Sequence, residues 1–188
     1  MVYLLLAAGF EDIEAVVPID ILRRAKIPVT TVGVTGRLVT SSHGLIVESD
    51  LHIDALNAAD MDMLILPGGP GVNNLRASPK VGELVRCAVL GNKLVGAICA
   101  APELLAEQGL LNGRRAVCYP SSEETLVRGG AHIERDRLVT HDRNIITAKA
   151  AGASIEFALK LVAMISGWPA SETVRGEIAY AHLEKCLT

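Results

Sequence analysis

The 188-residue sequence has few aromatic residues, no long apolar run and no block of one charge. Because Phe, Tyr and Trp make up only 3% of the chain, the core must consist mainly of aliphatic side chains. The net charge of −3, with both signs interspersed, disfavours specific nucleic-acid binding. No stretch approaches the roughly 20 apolar residues of a membrane span, and the start lacks signal-peptide features. We therefore expect a cytoplasmic protein without membrane contact.

Motifs for metals and nucleotides are also missing. The four cysteines, Cys87, Cys99, Cys118 and Cys186, form no C-x-x-C pair, and no Cys/His spacing matches a zinc site. Without a secretory signal, these cysteines are expected to be reduced. The chain has no G-x-x-x-x-G-K-[ST] motif, and its first strand-to-helix turn lacks G-x-G-x-x-G. We therefore expect neither a metal ion nor a cofactor.

Predicted strands alternate with predicted helices along the chain. Apolar or β-branched runs predict strands, and apolar residues at helical spacing predict helices. The strands are predicted at residues 2–7, 28–34, 63–66 and 94–98, and the helices at residues 10–25, 81–90, 101–108, 152–165 and 169–181. Because no repeat or linker interrupts this order, we expect one domain over residues 1–188. The predicted fold class is α/β, a doubly wound, mainly parallel sheet with helices on both faces.

Several local signals refine this prediction. Pro18 should kink the first helix or end its first segment. Gly109 suits the end of the helix at residues 101–108, and Ser121 or Ser122 can cap the next helix. Two short strands at residues 38–40 and 45–47 are expected to form an excursion at one edge of the sheet.

Cys99 stands where the strand at residues 94–98 turns directly into a helix. Such an elbow lifts its central side chain clear of the sheet, and the small residues Ala97, Ala100 and Ala101 leave room for it. The helix start would present unpaired N–H groups and a positive dipole end, which stabilise a thiolate. We therefore predict a reactive thiol at Cys99. The alternative is a buried, unreactive cysteine.

Glu14 is the predicted partner of Cys99. Ligands bind at the carboxyl ends of parallel strands, where residues 9–14, residues 67–71 and Cys99 should converge. On a helix Glu14 lies beside Val17 and Pro18, so burial would raise its pKa. A protonated carboxyl group there could donate a hydrogen bond to the thiolate and then act as general acid and base. The alternative is a solvated residue in the first turn of the helix.

Other polar groups are candidates for parts of the site. The loop from Gly68 to Gly71 is either a simple turn or a source of N–H donors for an oxyanion. His132 and Glu134 suggest a triad base, but their strand-like alternation is more typical of a surface. Ala100 rather than histidine follows Cys99, which disfavours a cysteine peptidase but leaves a distant histidine possible.

Four segments together resemble the ThiJ/PfpI superfamily, and most of all its branch that contains the Parkinson-disease protein DJ-one and bacterial relatives. They are the sequences at residues 9–14 (GFEDIE), 66–69 (LPGG), 97–102 (AICAAP) and 152–159 (GASIEFAL). The resemblance implies a flavodoxin-like fold and a homodimer. It implies Cys99 as the nucleophile and Glu14 as its protonated partner, with Gly69 and Ala100 as N–H donors.

Two positions differ from some members of that family. Tyr119 stands where some members have a histidine near the cysteine, and tyrosine is a poor base near neutral pH. A basic residue on the partner subunit's loop is matched by His43. In such a dimer the loop at Ser42 and His43, and the pair Arg23 and Arg24, would approach the site. We therefore count Gly68, Gly69, Ala100, Tyr119 and His43 as candidate oxyanion- or substrate-binding residues.

The resemblance implies a cofactor-independent aldehyde-processing enzyme of the glyoxalase or deglycase type, acting on small aldehydes or glycated groups and linked to oxidative stress. A redox-sensing stress-response or chaperone protein needs the same thiolate and is the first alternative. A cysteine hydrolase or peptidase of the same superfamily is the second. The sequence does not separate the enzyme from the sensor.

Overall fold

The architecture is a seven-stranded sheet with two short accessory sheets, and the computed structural model describes residues 1–180. The strands are β1 (Val2–Leu6), β2 (Val29–Gly33), β3 (Leu38–Thr40), β4 (Ile46–Glu48), β5 (Leu51–His52), β6 (Met63–Leu66), β7 (Leu94–Ile98), β8 (Arg115–Ala116), β9 (His132–Ile133), β10 (Val139–Asp142) and β11 (Ile145–Ala148). The main sheet has the order β10-β11-β7-β6-β1-β2-β5. All neighbours are parallel except β10 and β11.

Helices cover both faces of this sheet. They are α1 (Asp12–Arg24), α2 (Val72–Ala77), α3 (Pro79–Leu90), α4 (Pro102–Ala106), α5 (Glu123–Arg128), α6 (Ser154–Ser166) and α7 (Trp168–Glu177). One core lies beneath α1, α6 and α7, and the other lies beneath α2 to α5. The predicted α/β class, with a mainly parallel sheet between two helical layers, is confirmed.

The two cores follow from the alternation of side chains along the central strands. In β1, Leu4 and Leu6 belong to the core under α1 and α6, whereas Tyr3 and Leu5 belong to the other. Both faces are covered, so the whole strand is apolar and buried. On β7, a Cβ at Gly96 would lie 2.9 Å from the Phe157 ring, so glycine lets α6 pack closely on the sheet.

Some local predictions require correction. Helix α1 continues through Pro18, so the expectation that proline ends a helical segment there is wrong. Helix α4 was predicted at residues 101–108 but runs from Pro102 to Ala106. It starts one residue later than predicted because proline fits the first turn of a helix, and it ends two residues earlier. Gly109 instead has a φ of +71° in the turns that follow α4.

The predicted cap at Ser121 or Ser122 is also wrong. Ser122 precedes α5, but its side chain makes no capping hydrogen bond. Its buried Oγ has no partner among the described residues. By contrast, β3 and β4 form a separate antiparallel pair, which agrees with the predicted excursion.

Two details of the sequence prediction fall beyond residue 180. Cys186 and the last residue of the helix expected at residues 169–181 lie outside the described residues. Within residues 1–180, no helix has the length and apolar character required to cross a membrane. A cytoplasmic location and a single domain over the full chain stay predictions.

Phe157 tests the packing between α6 and the sheet. Its side chain is fully buried, so Phe157→Ala should lower the free energy of unfolding by about 3–5 kcal/mol. Ile165→Ala on the same helix is the matched control, because Ile165 is 37% exposed and should cost much less. Urea unfolding followed by circular dichroism measures both changes. Equal losses would contradict this account of the core.

Candidate active site

Three loops meet at the carboxyl edge of the sheet, after β1, β6 and β7. The Glu11 N–H donates to the Gly68 carbonyl over 3.1 Å, and the Gly71 N–H donates to the Gly9 carbonyl over 2.8 Å. The loop after β6 is therefore joined by backbone hydrogen bonds to the loop that starts α1. The predicted convergence of these segments is confirmed.

Cys99 occupies the sharp turn directly after β7. Its φ is +65°, a left-handed conformation that costs a non-glycine residue roughly 1–2 kcal/mol. Two hydrogen bonds of 2.9 Å hold the turn, from Cys99 N–H to the Ala148 carbonyl and from Tyr119 N–H to the Cys99 carbonyl. The side chain is partly exposed. The fold thus presents the thiol at an elbow, as the sequence predicted.

Glu14 lies in the first turn of α1, and its side chain is fully buried. The Glu11 carboxylate caps the helix by accepting a hydrogen bond from the Glu14 N–H at 2.8 Å. The Glu14 Oε2 accepts a hydrogen bond from the Gly68 N–H at 2.8 Å. The Glu14 Oε1 is buried and has no hydrogen-bond partner among the described residues. The solvated alternative for Glu14 is therefore wrong.

Gly68 makes the approach between the carboxyl group and the cysteine possible. A Cβ at this position would lie 2.6 Å from both the Glu14 Oε2 and the Cys99 Cβ. Any other residue would have to displace one of these groups. The Gly68 N–H already donates to Glu14, so Gly68 is needed here because it has no side chain. The hypothesis of an oxyanion donor therefore fits Gly69 and Ala100 better.

Burial raises the pKa of the Glu14 carboxyl group from 4.5 to about 7. Contact with the Cys99 thiol and the hydrogen bond from Gly68 oppose this rise, and the nearby charge of Glu11 adds to it. The thiol is near enough to affect this pKa, although no hydrogen bond of ordinary length and angle joins the two side chains. The predicted direction of the shift for Glu14 agrees with the structure.

The pKa of Cys99 runs against the sequence prediction of a thiolate stabilised by a helix start. Burial, followed by the charge of Glu14, raises the pKa of the thiol to about 12. The N–H groups of Gly69 and Ala100 lower the pKa of the thiol, but they do not offset these effects. Helix α4 has only five residues and begins three positions after Cys99, so its dipole contributes little.

Cys99 and Glu14 are two neighbouring groups whose ionisations affect each other. Burial raises the pKa of both groups, that of Glu14 to about 7 and that of Cys99 to about 12. A thiol beside a carboxylate and a thiolate beside a carboxylic acid are two forms of the same singly ionised pair. The carboxylate can therefore accept the thiol proton as a general base.

Of the other predicted site residues, two act on the Cys99 thiol and two have exposed side chains. The backbone N–H groups of Gly69 and Ala100 act directly on the Cys99 thiol. Tyr119 is joined to Cys99 through its backbone N–H, and its side chain is 46% exposed. His43 is exposed and lies beside Asp12 of the same chain, with 3.0 Å between the His43 Nδ1 and the Asp12 Oδ2. Its approach to a second subunit's site stays a prediction.

His43, Asp12 and Glu11 form the group of described residues best placed to hold a cation. Their ligand atoms lie within 4.8 Å of one another. Each residue already has a partner in the chain: Glu11 caps α1, and Asp12 accepts hydrogen bonds from Ser41 and His43. The pKa of Asp12 is lowered, chiefly by its hydrogen bond with Ser41. The cluster is thus explained by the folding of the loop at residues 41–43 onto α1.

The remaining candidates form no hydrogen bond with the thiol. Within residues 1–180, neither His132 nor Glu134 makes a hydrogen bond with Cys99, and Glu134 instead accepts one from Thr140. Cys118 is buried in the core beneath α2 to α5, whereas Cys99 packs against the opposite core. Burial is the main reason that the pKa of Cys118 is raised to about 12, and Cys99 lies near enough for its charge to add to this rise.

Glu11 is the residue that the sequence interpretation missed. It caps α1 and fixes the backbone that carries Glu14, a role that is absent from the predicted site. A signal was available, because an N-cap side chain accepts a hydrogen bond from the residue three positions later. The spacing of Glu11 and Glu14 fits that rule.

Comparison with known proteins places the chain among proteins of this architecture. The model of the DJ-1/PfpI family matches residues 1–164. Protein dj-1beta of Drosophila melanogaster is 36% identical over 165 residues, covering 87% of this chain and 88% of the relative. Its crystal structure superposes with a TM-score of 0.91, covering 96% of this chain and 98% of that one.

Two further relatives carry names that describe activities. The glutathione-independent glyoxalase DJR-1.2 of Caenorhabditis elegans is 34% identical, covering 84% of this chain and 83% of the relative. The putative cysteine protease YraA of Bacillus subtilis is 35% identical over 141 residues, covering 74% of this chain and 83% of the relative. Similarity at this level therefore accompanies more than one named activity.

The raised pKa of Glu14 makes stability depend on pH. Between pH 4.5 and about 7, the folded state holds a proton that the unfolded state has lost, so the free energy of unfolding falls as pH rises. The loss should be of the order of 3 kcal/mol and level off above pH 7. Urea unfolding at several pH values should show this loss in the wild type relative to Glu14→Gln, which keeps an acceptor for Gly68. Parallel profiles for the two proteins would contradict the assignment.

Proposed function

The chain belongs to the DJ-1/PfpI family, and from that membership we propose that it is a cofactor-independent aldehyde-processing enzyme of the glyoxalase or deglycase type. The observation that carries the proposal is the buried Glu14 carboxyl group beside a partly exposed thiol on a strained turn. The named glyoxalase activity of the C. elegans relative supports it. Cys99 and Glu14 are the proposed catalytic residues.

The first step joins the substrate to Cys99. The singly ionised pair supplies the nucleophile: sulfur attacks the aldehyde carbon of methylglyoxal while Glu14 takes the thiol proton. The carbonyl oxygen receives a proton from Glu14, and a hemithioacetal forms. The N–H groups of Gly69 and Ala100, which already act on the sulfur, can stabilise the oxygen as its charge develops. Tyr119 and His43 remain proposed substrate contacts at the rim.

The second step moves a proton between adjacent carbons. The Glu14 carboxylate removes the proton from the carbon bonded to sulfur, which gives an enediol, and returns it to the neighbouring carbon. The proton of the hemithioacetal hydroxyl group passes to the former ketone oxygen, and a lactoyl thioester forms. Water then cleaves the thioester to lactate and restores the Cys99 thiol. Methylglyoxal and water are thus converted to lactate, and glyoxal in the same way gives glycolate. These steps exchange only protons and water, so they use no metal, nucleotide or glutathione.

The same chemistry extends to aldehydes already added to an amine or thiol, which is the proposed deglycase reaction. The peptidase alternative is less favoured. Within residues 1–180, no histidine forms a hydrogen bond with Cys99 to protonate an amine leaving group. The sensor alternative prefers a thiol of low pKa, whereas the pKa of Cys99 is raised.

Turnover of methylglyoxal to lactate tests the proposal. Cys99→Ser should lower kcat/KM by at least about 10³-fold because a hydroxyl group is the weaker nucleophile. Glu14→Gln should lower it by about 10²- to 10⁴-fold because proton transfer is lost. The wild-type rate should rise as pH passes about 7, where the pair becomes singly ionised. Enzymatic assay of lactate measures these rates.

Cys87→Ser is the matched control, because Cys87 is exposed and lies away from the elbow; it should retain full activity. Turnover by a folded Cys99→Ser protein at the wild-type rate would sink the proposal. Intact-mass measurement after dilute peroxide distinguishes the sensor alternative. Oxidation confined to Cys99, without any aldehyde turnover, would favour the sensor over the enzyme.

We further propose that the protein forms a homodimer through the exposed apolar surface of α1 and the β3–β4 sheet. Ile13 and Val16 on α1 are 50% and 43% exposed, and Leu38 and Ile46 on the small sheet are 69% and 65% exposed. A hydrogen bond from the Ser42 N–H to the Phe10 carbonyl joins these two parts. A second copy of the chain would remove this apolar surface from water.

Val16→Glu should convert the dimer to a monomer, because a charge would be buried in the interface. Light scattering after size-exclusion chromatography measures the mass. Leu90→Glu, at a residue 68% exposed on α3, is the matched control and should leave the mass unchanged. A monomeric wild type at micromolar concentration would contradict the proposal.

A further inference from the structure

A cavity away from Cys99 lies along the edge strand β10. It has a volume of about 350 Å³ and is lined by residues of β8, the turn at residues 134–137, β10, α6 and α7. None of its lining residues belongs to the proposed active site. Its volume falls in the range of small-ligand pockets.

The cavity is lined by an excess of positive side chains. Arg115, Arg137, Lys160 and Arg175 face two carboxylates, those of Glu134 and Glu156. Arg115 and Arg175 pair with these carboxylates at 3.5 and 3.3 Å, and each also pairs with an acid outside the lining.

Arg137 and Lys160 differ from those two arginines. Within residues 1–180, neither side chain makes an ion pair. Two cations that line one concave surface and form no ion pair within the described part of the chain favour a bound anion.

An exposed aromatic ring lies beside these cations. Trp168 is the single tryptophan of the chain and is 58% exposed. The Lys160 Nζ lies 4.9 Å from the centre of its ring. Trp168 is also the first residue of α7, so the positive end of that helix dipole lies at the same cavity. A flat apolar surface and positive charge are therefore presented together.

We propose that this cavity binds a small organic anion of the nucleotide class, with its anionic group between Arg137 and Lys160 and its planar ring against Trp168. A ligand with only an anionic group would leave Trp168 without a contact, and a ligand with only a planar ring would leave the two cations without one. A long polyanion is disfavoured by the net charge of −3. This inference is independent of the proposed aldehyde chemistry, because it uses none of the same residues.

Trp168 itself reports binding. Titration of the full chain with adenosine monophosphate should quench its fluorescence in a saturable manner, excited where adenine does not absorb. Adenosine, which lacks the anion, and inorganic phosphate, which lacks the ring, should each bind at least about tenfold more weakly. Equilibrium dialysis with radiolabelled nucleotide provides a second measurement that does not depend on tryptophan.

Substitution of residues that line the cavity tests whether the nucleotide binds there. Arg137→Ala and Lys160→Ala should each weaken nucleotide binding by about five- to tenfold. Arg86→Ala is the matched control, because it removes an exposed positive charge from α3 and should leave binding unchanged. Trp168→Leu, followed by dialysis, should weaken binding because stacking is lost.

Three results would overturn the inference. The first is the absence of saturable binding at millimolar nucleotide. The second is equal binding of phosphate and nucleotide, since the ring would then play no part. The third is binding that persists unchanged in a folded protein carrying both Arg137→Ala and Lys160→Ala, since the anion would then lie elsewhere.

Discussion

The buried carboxyl group of Glu14 is the feature on which the site depends. Its desolvation would be severe without the hydrogen bond from the Gly68 N–H. That bond requires the loop after β6 to lie against the start of α1, and the missing side chain at Gly68 leaves the space. The backbone hydrogen bond from the Glu11 N–H to the Gly68 carbonyl holds the same two segments together, and the Glu11 cap fixes the start of α1. The sheet supplies the frame because β1, β6 and β7 are adjacent and parallel.

The pair of Cys99 and Glu14 behaves differently from an isolated activated thiol. A helix start can lower the pKa of a cysteine, but α4 is short and begins too late to do so here. Burial and the neighbouring carboxylate act in the opposite direction and raise it. In the proposed reaction, the nucleophile therefore arises by proton transfer to Glu14 as the sulfur attacks. This favours a reaction in which the same proton is used again, as in the rearrangement of an α-oxoaldehyde.

The two proposed sites lie in different regions of the molecule. The elbow at Cys99 lies at the carboxyl edge of the sheet, beneath loops that contain glycine and alanine. The cationic cavity lies along β10, where α6 and α7 meet, and carries arginine, lysine and tryptophan. Small residues at the elbow permit close approach of reacting groups, whereas long cationic side chains at the cavity suit the binding of an anion.

The sequence by itself determined the order of strands and helices, the parallel class of the sheet, the elbow at Cys99 and the approach of Glu14. The first three follow from apolar periodicity and from a strand that runs directly into a turn, which are local properties of the chain. The approach of Glu14 follows because the carboxyl ends of parallel strands meet at one edge of the sheet. The tertiary structure alone decided the protonation of the pair, the use of the Gly68 N–H by Glu14 and the cavity beside Trp168. Each depends on distances between residues far apart in sequence, and the pKa of a group depends on how far the fold excludes water from it. The local sequence pattern determines neither these distances nor this burial.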